Sequence, residues 1–195
     1  MRTKITLVPA FLVIIGGCGE KSTLLPNDIG QMEFLLAGAR TLTFDATGNN
    51  DQLTGGTDFV VASYAPGYPN NTQTVLQIAA RDMTDSTSSN RIFVQTPTIV
   101  AGNYRIGTDC AGGGPAVCGH VAFWLNEDYR QLGSGESFLL ISGVIDLVSS
   151  PNNRVRGRFS GMARQLDPAA PAAFLEPPVL VEVRVGSFDV PLSPN

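Results

Sequence analysis

Two cysteines and the chain's one histidine lie close together in the sequence and could bind a metal. Cys110 and Cys118 flank a glycine-rich segment, and His120 follows Cys118 by two positions. Thiolate and imidazole are preferred zinc ligands, but this spacing matches no usual zinc motif and no fourth ligand is nearby. We therefore expect no metal here. The alternative for the two cysteines is a disulfide, which requires an oxidising compartment.

A row of oxygen-bearing side chains suggests calcium chemistry. In "DATGNNDQLTGGTD", Asp45, Thr47, Asn49 and Asp51 alternate as the ligands of a calcium loop do. The EF-hand pattern fails at its last ligand, because Gly56 stands where a bidentate glutamate is needed. We favour a polar turn between strands, with a calcium site of another kind in residues 45–58 as the alternative.

Motifs for catalysis are absent from the sequence. No G-x-S-x-G surrounds any serine, and no glycine-rich phosphate loop joins a strand to a helix. The sequence thus predicts a protein that is not an enzyme and holds no cofactor.

The N-terminus has the pattern of a secretory signal. Arg2 and Lys4 precede an apolar run from Ile5 to Ile15, which is interrupted only by Thr6. A charged segment followed by an apolar one of this length is typical of a signal peptide. A membrane-spanning helix needs about 20 apolar residues, so we expect this run to target the chain without spanning the bilayer.

The quartet Ile15-Gly16-Gly17-Cys18 resembles the lipobox of bacterial lipoproteins, with isoleucine where leucine is usual. The resemblance implies removal of residues 1–17, acylation of Cys18 with fatty acids such as palmitate, and a tether over residues 18–30. Two or three acyl chains hold a membrane firmly, whereas one does so only marginally. Gly19 stands where retention in the inner membrane often shows aspartate, which favours the outer membrane.

An envelope location gives the other two cysteines a role. Cys110 and Cys118 then form an even pair in an oxidising compartment, and we predict a disulfide between them. The net charge of −4, with no cluster of lysine or arginine, argues against binding of nucleic acid.

Strand patterns follow one another through residues 31–195, which we expect to form a single domain. Short aliphatic and aromatic runs are bounded by Gly, Asn, Pro or Ser, and no window keeps a helical period. The runs cover residues 32–46, 58–65, 74–83, 91–96, 102–107, 120–131, 137–165 and 179–192. The proline-rich stretch 166–178 is predicted to be a long excursion over an edge or an end of the sheet. The fold class is all-β, either an antiparallel β-sandwich or a partly open β-barrel.

The last two thirds of the chain resemble small bacterial lipoproteins of unknown function. The resemblance rests on "GNYRIG" at 102–107, on the returning strand "RVRGRFSGMA" and on a final "VRVGSFDVPL". It implies an all-β domain with no known catalytic residues.

Alternation in the returning strand places Arg154, Arg156 and Arg158 on one face. A site for anions or lipid headgroups is one interpretation of this row. We favour an ordinary solvated face, with Asp146 across the hairpin to pair with one arginine.

Aromatic residues beside polar ones are the candidate binding residues: Tyr64, Tyr68, Trp124 and Tyr129. Such rings bind glycans or proteins by stacking together with directed hydrogen bonds. Alternation places one of Phe123 and Trp124 in the core and the other on the opposite face. For Phe123 and Trp124 we favour burial of both rings between two sheets, with exposed rings that bind a partner as the alternative.

These features predict a lipid-anchored, non-enzymatic envelope protein whose β-domain binds a partner protein or a glycan through its loops. The expected location is the outer membrane of the cell envelope, on either its periplasmic or its outer side. The alternative is a carrier that holds a small apolar ligand inside a lipocalin-like barrel.

Overall fold

The chain folds as strands throughout the part that the computed structural model describes, residues 28–49, 56–66, 74–107, 118–131, 133–148 and 153–192. The strands are β1 Gly30–Gly38, β2 Leu42–Gly48, β3 Phe59–Pro66, β4 Thr74–Met83, β5 Ser88–Thr96, β6 Gly102–Gly107, β7 His120–Asp128, β8 Glu136–Val148, β9 Arg154–Asp167, β10 Ala170–Phe174 and β11 Leu180–Pro191. No helix in these ranges is long and apolar enough to cross a membrane.

The strands pair in antiparallel fashion in the order β2-β1-β11-β9-β8-β7-β5-β4-β3, with β10 on β9 and β6 on β8. The sheet curls until its two ends meet at one seam. Ala62 of β3 forms a parallel bridge with Leu192, just past β11. A Cβ on Gly30 would lie 2.7 Å from the carbonyl oxygen of Val60, so β1 and β3 are in contact. The fold is a nearly closed antiparallel barrel, and the predicted all-β class is confirmed.

Alternating burial along the strands of the barrel wall, β10 excepted, places the apolar side chains inside the barrel. Aromatic rings dominate this interior. Phe34 and Phe44 stack at 4.6 Å between centroids, and Phe123 and Phe138 at 5.1 Å. The Phe34 ring also lies 6.0 Å from Phe123, on β7 across the barrel, and 5.8 Å from Phe159, on β9 two strands away in the sheet. At this level side chains fill the interior, as in a packed protein core.

The barrel has two distinct ends. The entry end is where the chain enters the barrel at Gly30, and it also carries the last residue of β8, Val148. The far end carries the described connections over residues 39–41, 84–87, 129–131, 133–135, 168–169 and 175–179. The backbone carbonyl of Ile29 accepts a hydrogen bond of 2.8 Å from the Arg154 guanidinium, which fixes the entering segment to β9.

A pair of glycines lies where β8 changes from one neighbouring strand to another. Gly143 of β8 lies opposite Gly161 of β9, with φ of 149° and 158°. The first part of β8 pairs with β7, whereas its second part, from Ser142 on, pairs with β6. The two glycines therefore lie where β8 changes partner and the sheet turns to close.

The predicted excursion over residues 166–178 contains more strand than expected. β9 continues to Asp167, whose carboxylate accepts the backbone N–H of Ala169 at 2.8 Å and closes a tight turn into β10. β10 is exposed and pairs on one side only, so Pro171 removes no hydrogen bond that the sheet needs.

Val185 in β11 has a backbone conformation that is unfavourable for a β-branched residue. Its φ is 48° and 76% of its side chain is exposed, at a bulge where β11 shifts register against β1 and β9. The bulge lets the next residue, Gly186, approach the Phe159 carbonyl, which a Cβ would reach at 2.7 Å. Glycine at position 186 therefore permits a close approach of the two strands at the bulge.

Val185→Asn is expected to stabilise the protein by about 1 kcal/mol, because asparagine tolerates this left-handed conformation and little apolar contact is lost. Urea unfolding measures the change. Val148→Asn, at an exposed valine with ordinary backbone, is the control and should shift stability by less than about 0.5 kcal/mol. Equal changes in the two variants would show that Val185 is not strained.

An ion pair joins the β1–β2 turn to the start of β8 at the far end. Arg40 donates from Nε to Glu136 at 2.8 Å and makes a second bond to the same carboxylate. The hydrogen bond and charge of Arg40, opposed by partial burial, lower the pKa of Glu136. A lowered folded-state pKa contributes stability above the unfolded value of about 4.3, and the contribution is lost as pH falls through the folded value.

Glu136→Gln is therefore expected to destabilise the protein at neutral pH, with the difference from wild type disappearing as the pH falls below about 4. Urea midpoints of both proteins between neutral and acidic pH measure this. A difference that stays constant over the whole range would contradict the role given to the carboxylate.

Candidate binding surface

The best-defined polar cluster lies on the outer wall near the far end, on β4, β5 and β7. It begins with Trp124 of β7, which lies opposite Arg91 of β5 in the sheet register. The two side chains share the outward face, and the Arg91 guanidinium lies 4.2 Å from the indole centroid. Phe123, one residue earlier, is fully buried inside. Alternation thus correctly predicted that these two rings face opposite ways, whereas the favoured burial of both rings is wrong, because Trp124 is only half-buried.

Glu127 is fully buried although it lies on the outer wall. Its carboxylate accepts two hydrogen bonds from Arg91, at 2.9 and 3.0 Å, and a third from the backbone N–H of Gly133. Gly133 belongs to the β7–β8 loop, which folds back over the strand. The carboxylate therefore holds both the arginine and the loop in place.

A bulge in β7 is what brings Glu127 to this face. Arg91 lies opposite Trp124 while Ser89 lies opposite Glu127, so β7 has one residue more than β5 between these pairs. Asn126 takes up the bulge with φ of 54°, and its N–H donates to the side chain of Asn90 at 3.1 Å. Without the extra residue, Glu127 would point into the apolar interior.

Arg81 extends the cluster toward β3 and is only 5% exposed. Its guanidinium lies 4.8 Å from the Phe59 ring and 5.8 Å from the Tyr129 ring, and it donates to the Thr57 carbonyl at 3.0 and 2.9 Å. Burial lowers its pKa, against the raising effect of nearby carboxylates.

Arg81 also lies directly opposite Arg91, an unfavourable pairing of like charges. The carboxylate of Glu127 and the aromatic rings offset this repulsion.

We call this cluster, Arg81, Arg91, Trp124, Glu127 and Tyr129, the arginine–aromatic patch. Its ring and guanidinium planes are fixed by stacking and by ion pairing before any partner arrives. Trp, Tyr and Arg are the residues that dominate binding energy in protein interfaces. Preorganised side chains of these types lose little conformational entropy on binding, so the patch is suited to recognition.

No protein-family model, curated protein or solved structure matches the chain.

The candidate binding residues do not all come together. Trp124 and Tyr129 both belong to the patch. Tyr64 lies in β3 opposite Leu76, toward the entry end and away from Trp124, and its side chain is not among those described. Tyr68 lies outside the described residues. Arg81, Arg91 and Glu127 did not stand out in the sequence, although "ARDM" and "NRIF" each place an arginine among alternating apolar residues.

The predicted disulfide and the metal alternatives fall partly outside the described residues. The backbone of Cys118 forms an isolated parallel β-bridge with that of Arg105. Cys110 lies outside the described residues, so the disulfide stays a prediction. Burial lowers the pKa of His120. Within the described ranges no three His, Cys, Asp or Glu side chains are grouped as metal ligands, and Asp51 lies outside them.

Two other aspartates of the 45–58 region make contacts within the fold, Asp58 through its carboxylate and Asp45 through its backbone. Asp58 accepts the backbone N–H of Met83 at 2.8 Å. The backbone of Asp45 on the terminal strand β2 hydrogen-bonds to Asp82, whose pKa is raised mainly by burial. The Asp82 carboxylate thus accepts a hydrogen bond from the backbone of β2 at the seam, on the side where the described sheet gives β2 no neighbouring strand.

The arginine row of β9 is largely ion-paired. Asp189 of β11 accepts hydrogen bonds from Arg154 at 2.6 Å and from Arg156 at 2.8 Å. Arg158 lies opposite Asp146, the residue that the sequence suggested as a partner. These pairs favour the interpretation of the row as an ordinary strand face.

Proposed function

We propose that this protein is a lipid-anchored component of a bacterial cell envelope, without catalytic activity, that binds a partner through the arginine–aromatic patch. The signal pattern and lipobox of residues 1–18 support the anchor, which would place the protein at the outer membrane. The all-β domain agrees with the expectation from the lipoprotein resemblance, although this fold class is shared by many functions.

The observation that carries the binding role is the position of the patch. It lies near the far end of the barrel, whereas the anchored segment joins at the entry end through Gly30 and Ile29. A surface on the far side of an anchored domain is directed away from the membrane. There it would be accessible to other envelope components.

A protein is the partner that the patch favours. One face of the Trp124 indole is already covered by the Arg91 guanidinium, which leaves less of the ring for stacking on a sugar. Combined Trp, Tyr and Arg side chains with rigid geometry are typical of protein interfaces. A glycan partner is the other outcome of the test below.

The carrier alternative gains no support from the interior. Phe34 meets Phe123 across the barrel and also packs near Phe159, so an apolar ligand at this level would have to displace packed rings.

Photo-crosslinking in the bacterium tests the binding role. A benzophenone amino acid replaces Gln131, which is exposed in the β7–β8 loop beside Tyr129, or Thr43, an exposed control on β2. We expect a covalent adduct from position 131 and not from position 43. The adduct should disappear with Trp124→Ala, provided that this variant keeps the far-ultraviolet spectrum of the wild type.

Digestion of the adduct identifies the partner class. If protease digestion releases peptides of a second protein crosslinked to position 131, the partner is a protein. If the adduct loses its added mass only after treatment with glycan-degrading enzymes, the partner is a glycan. Absence of an adduct at position 131, or equal adducts at both positions, would overturn the proposed surface.

A further inference from the structure

Three large apolar side chains are exposed together at the entry end. Ile99 is 44% exposed, Val100 is 64% exposed and Val148 is 53% exposed. Ile99 and Val100 precede β6, and Val148 ends β8. Because Gly102 pairs with Leu147, the residues just before β6 lie beside Val148. We call these three residues the apolar rim.

The apolar rim lies at the same end of the barrel as the point where the N-terminal segment joins. Val148 is opposite Arg156, Arg156 is opposite Asp189, and Asp189 is opposite Gln31 of β1. This row crosses the sheet from the rim to the second residue of β1. The Arg154 hydrogen bond to Ile29 holds the chain at this end up to the residue before β1.

Charge near the rim suits a membrane surface. The outer faces of β6 and β9 carry Arg105, Arg156 and Arg158 on the strands that flank Val148. Asp189 pairs with Arg154 and Arg156, and Asp146 lies opposite Arg158. Two carboxylates therefore offset two of the three charges of the β9 row. Arginines beside exposed aliphatic side chains form the combination that contacts phospholipid headgroups and the outermost acyl carbons.

We propose that the apolar rim rests in the interfacial layer of the membrane, so that the barrel stands on the bilayer with its entry end down. This inference rests on the proposed lipid anchor at Cys18. A tether from residue 18 to residue 30 spans at most roughly 40 Å when fully extended, so it would also permit a barrel held clear of the surface. Contact between the apolar rim and the membrane is the favoured arrangement, because it transfers apolar side chains from water into the interfacial layer.

Fluorescent labelling of the full-length lipidated protein tests the arrangement. Val100→Cys and Val148→Cys are labelled with the environment-sensitive NBD group under non-reducing conditions, and wild type labelled in parallel gives the background. Leu180→Cys is the matched control, because Leu180 is an apolar residue with 42% exposure at the far end. The proteins are reconstituted in phosphatidylethanolamine–phosphatidylglycerol vesicles and quenched with aqueous iodide.

We expect iodide quenching at positions 100 and 148 to be weaker than at 180 by about threefold or more, since side chains in the interfacial layer are shielded from water. Quenching by nitroxide lipids should show the opposite order. Equal quenching at all three positions, or stronger protection at 180, would overturn the inference while leaving the anchor intact. Protein that fails to float with the vesicles would overturn the anchor, and the inference with it.

Discussion

Gly161→Ala is expected to destabilise the barrel by about 4 kcal/mol, a large part of the 5–15 kcal/mol typical of a domain. A Cβ on Gly161 would lie 2.1 Å from the Ser142 carbonyl oxygen, and one on Gly143 would lie 2.1 Å from that of Ser160. Both contacts are with backbone, which cannot rotate away as a side chain would. Overpacking and an unfavourable φ each cost about 1–3 kcal/mol.

Gly107→Ala is the matched control for this prediction. Gly107 also lies in a strand on the same sheet, but a Cβ there meets nothing within 4 Å. Its substitution should change the urea midpoint little. If Gly143→Ala and Gly161→Ala unfold at the same urea concentration as Gly107→Ala, the two glycines do not set the bend between β8 and β9.

Glu127→Ala is expected to cost about 3 kcal/mol, because removing one partner of a buried ion pair leaves the other without compensation. Glu127 is fully buried, and the Arg91 side chain is 23% exposed. The substitution also takes away the acceptor of the Gly133 N–H and leaves Arg91 facing Arg81. The β7–β8 loop should then open, and hydrogen exchange at Gly133 should become faster while the interior strands stay protected.

The exposed pair of Glu182 and Arg184 provides the control, with 43% and 58% of their side chains exposed. Glu182→Ala should cost less than about 1 kcal/mol, because water solvates both charges. Urea unfolding of the two variants gives the comparison. Equal losses would contradict the central position given to Glu127 in the arginine–aromatic patch.

Much of the strand pattern could be predicted from alternation, because one face of each strand is buried. The β8–β9 hairpin, the last strand and the opposite orientations of Phe123 and Trp124 all follow from this period of two. The pairing order could not be predicted. β11 lies between β1 and β9, and nothing in the local sequence specifies partners so far apart along the chain.

The candidate site depends on a feature that alternation misrepresents. Under strict alternation Trp124 faces outward and Glu127, three residues later, faces the inside of the barrel. An unpaired carboxylate would be costly there. The bulge at Asn126 shifts the count by one residue and turns Glu127 outward to Arg91. A glutamate at an expected core position was the one sequence signal that could have indicated a bulge.

The proposed anchor requires that the chain is cleaved before Cys18 and acylated on it. The intact mass of the protein extracted from a bacterial membrane fraction tests this most directly. We predict the mass of residues 18–195 plus fatty acyl chains, with Cys110 and Cys118 alkylated only after denaturation and reduction. A mass that retains residues 1–17 and carries no acyl group would contradict the anchor, the envelope location and the orientation proposed for the barrel.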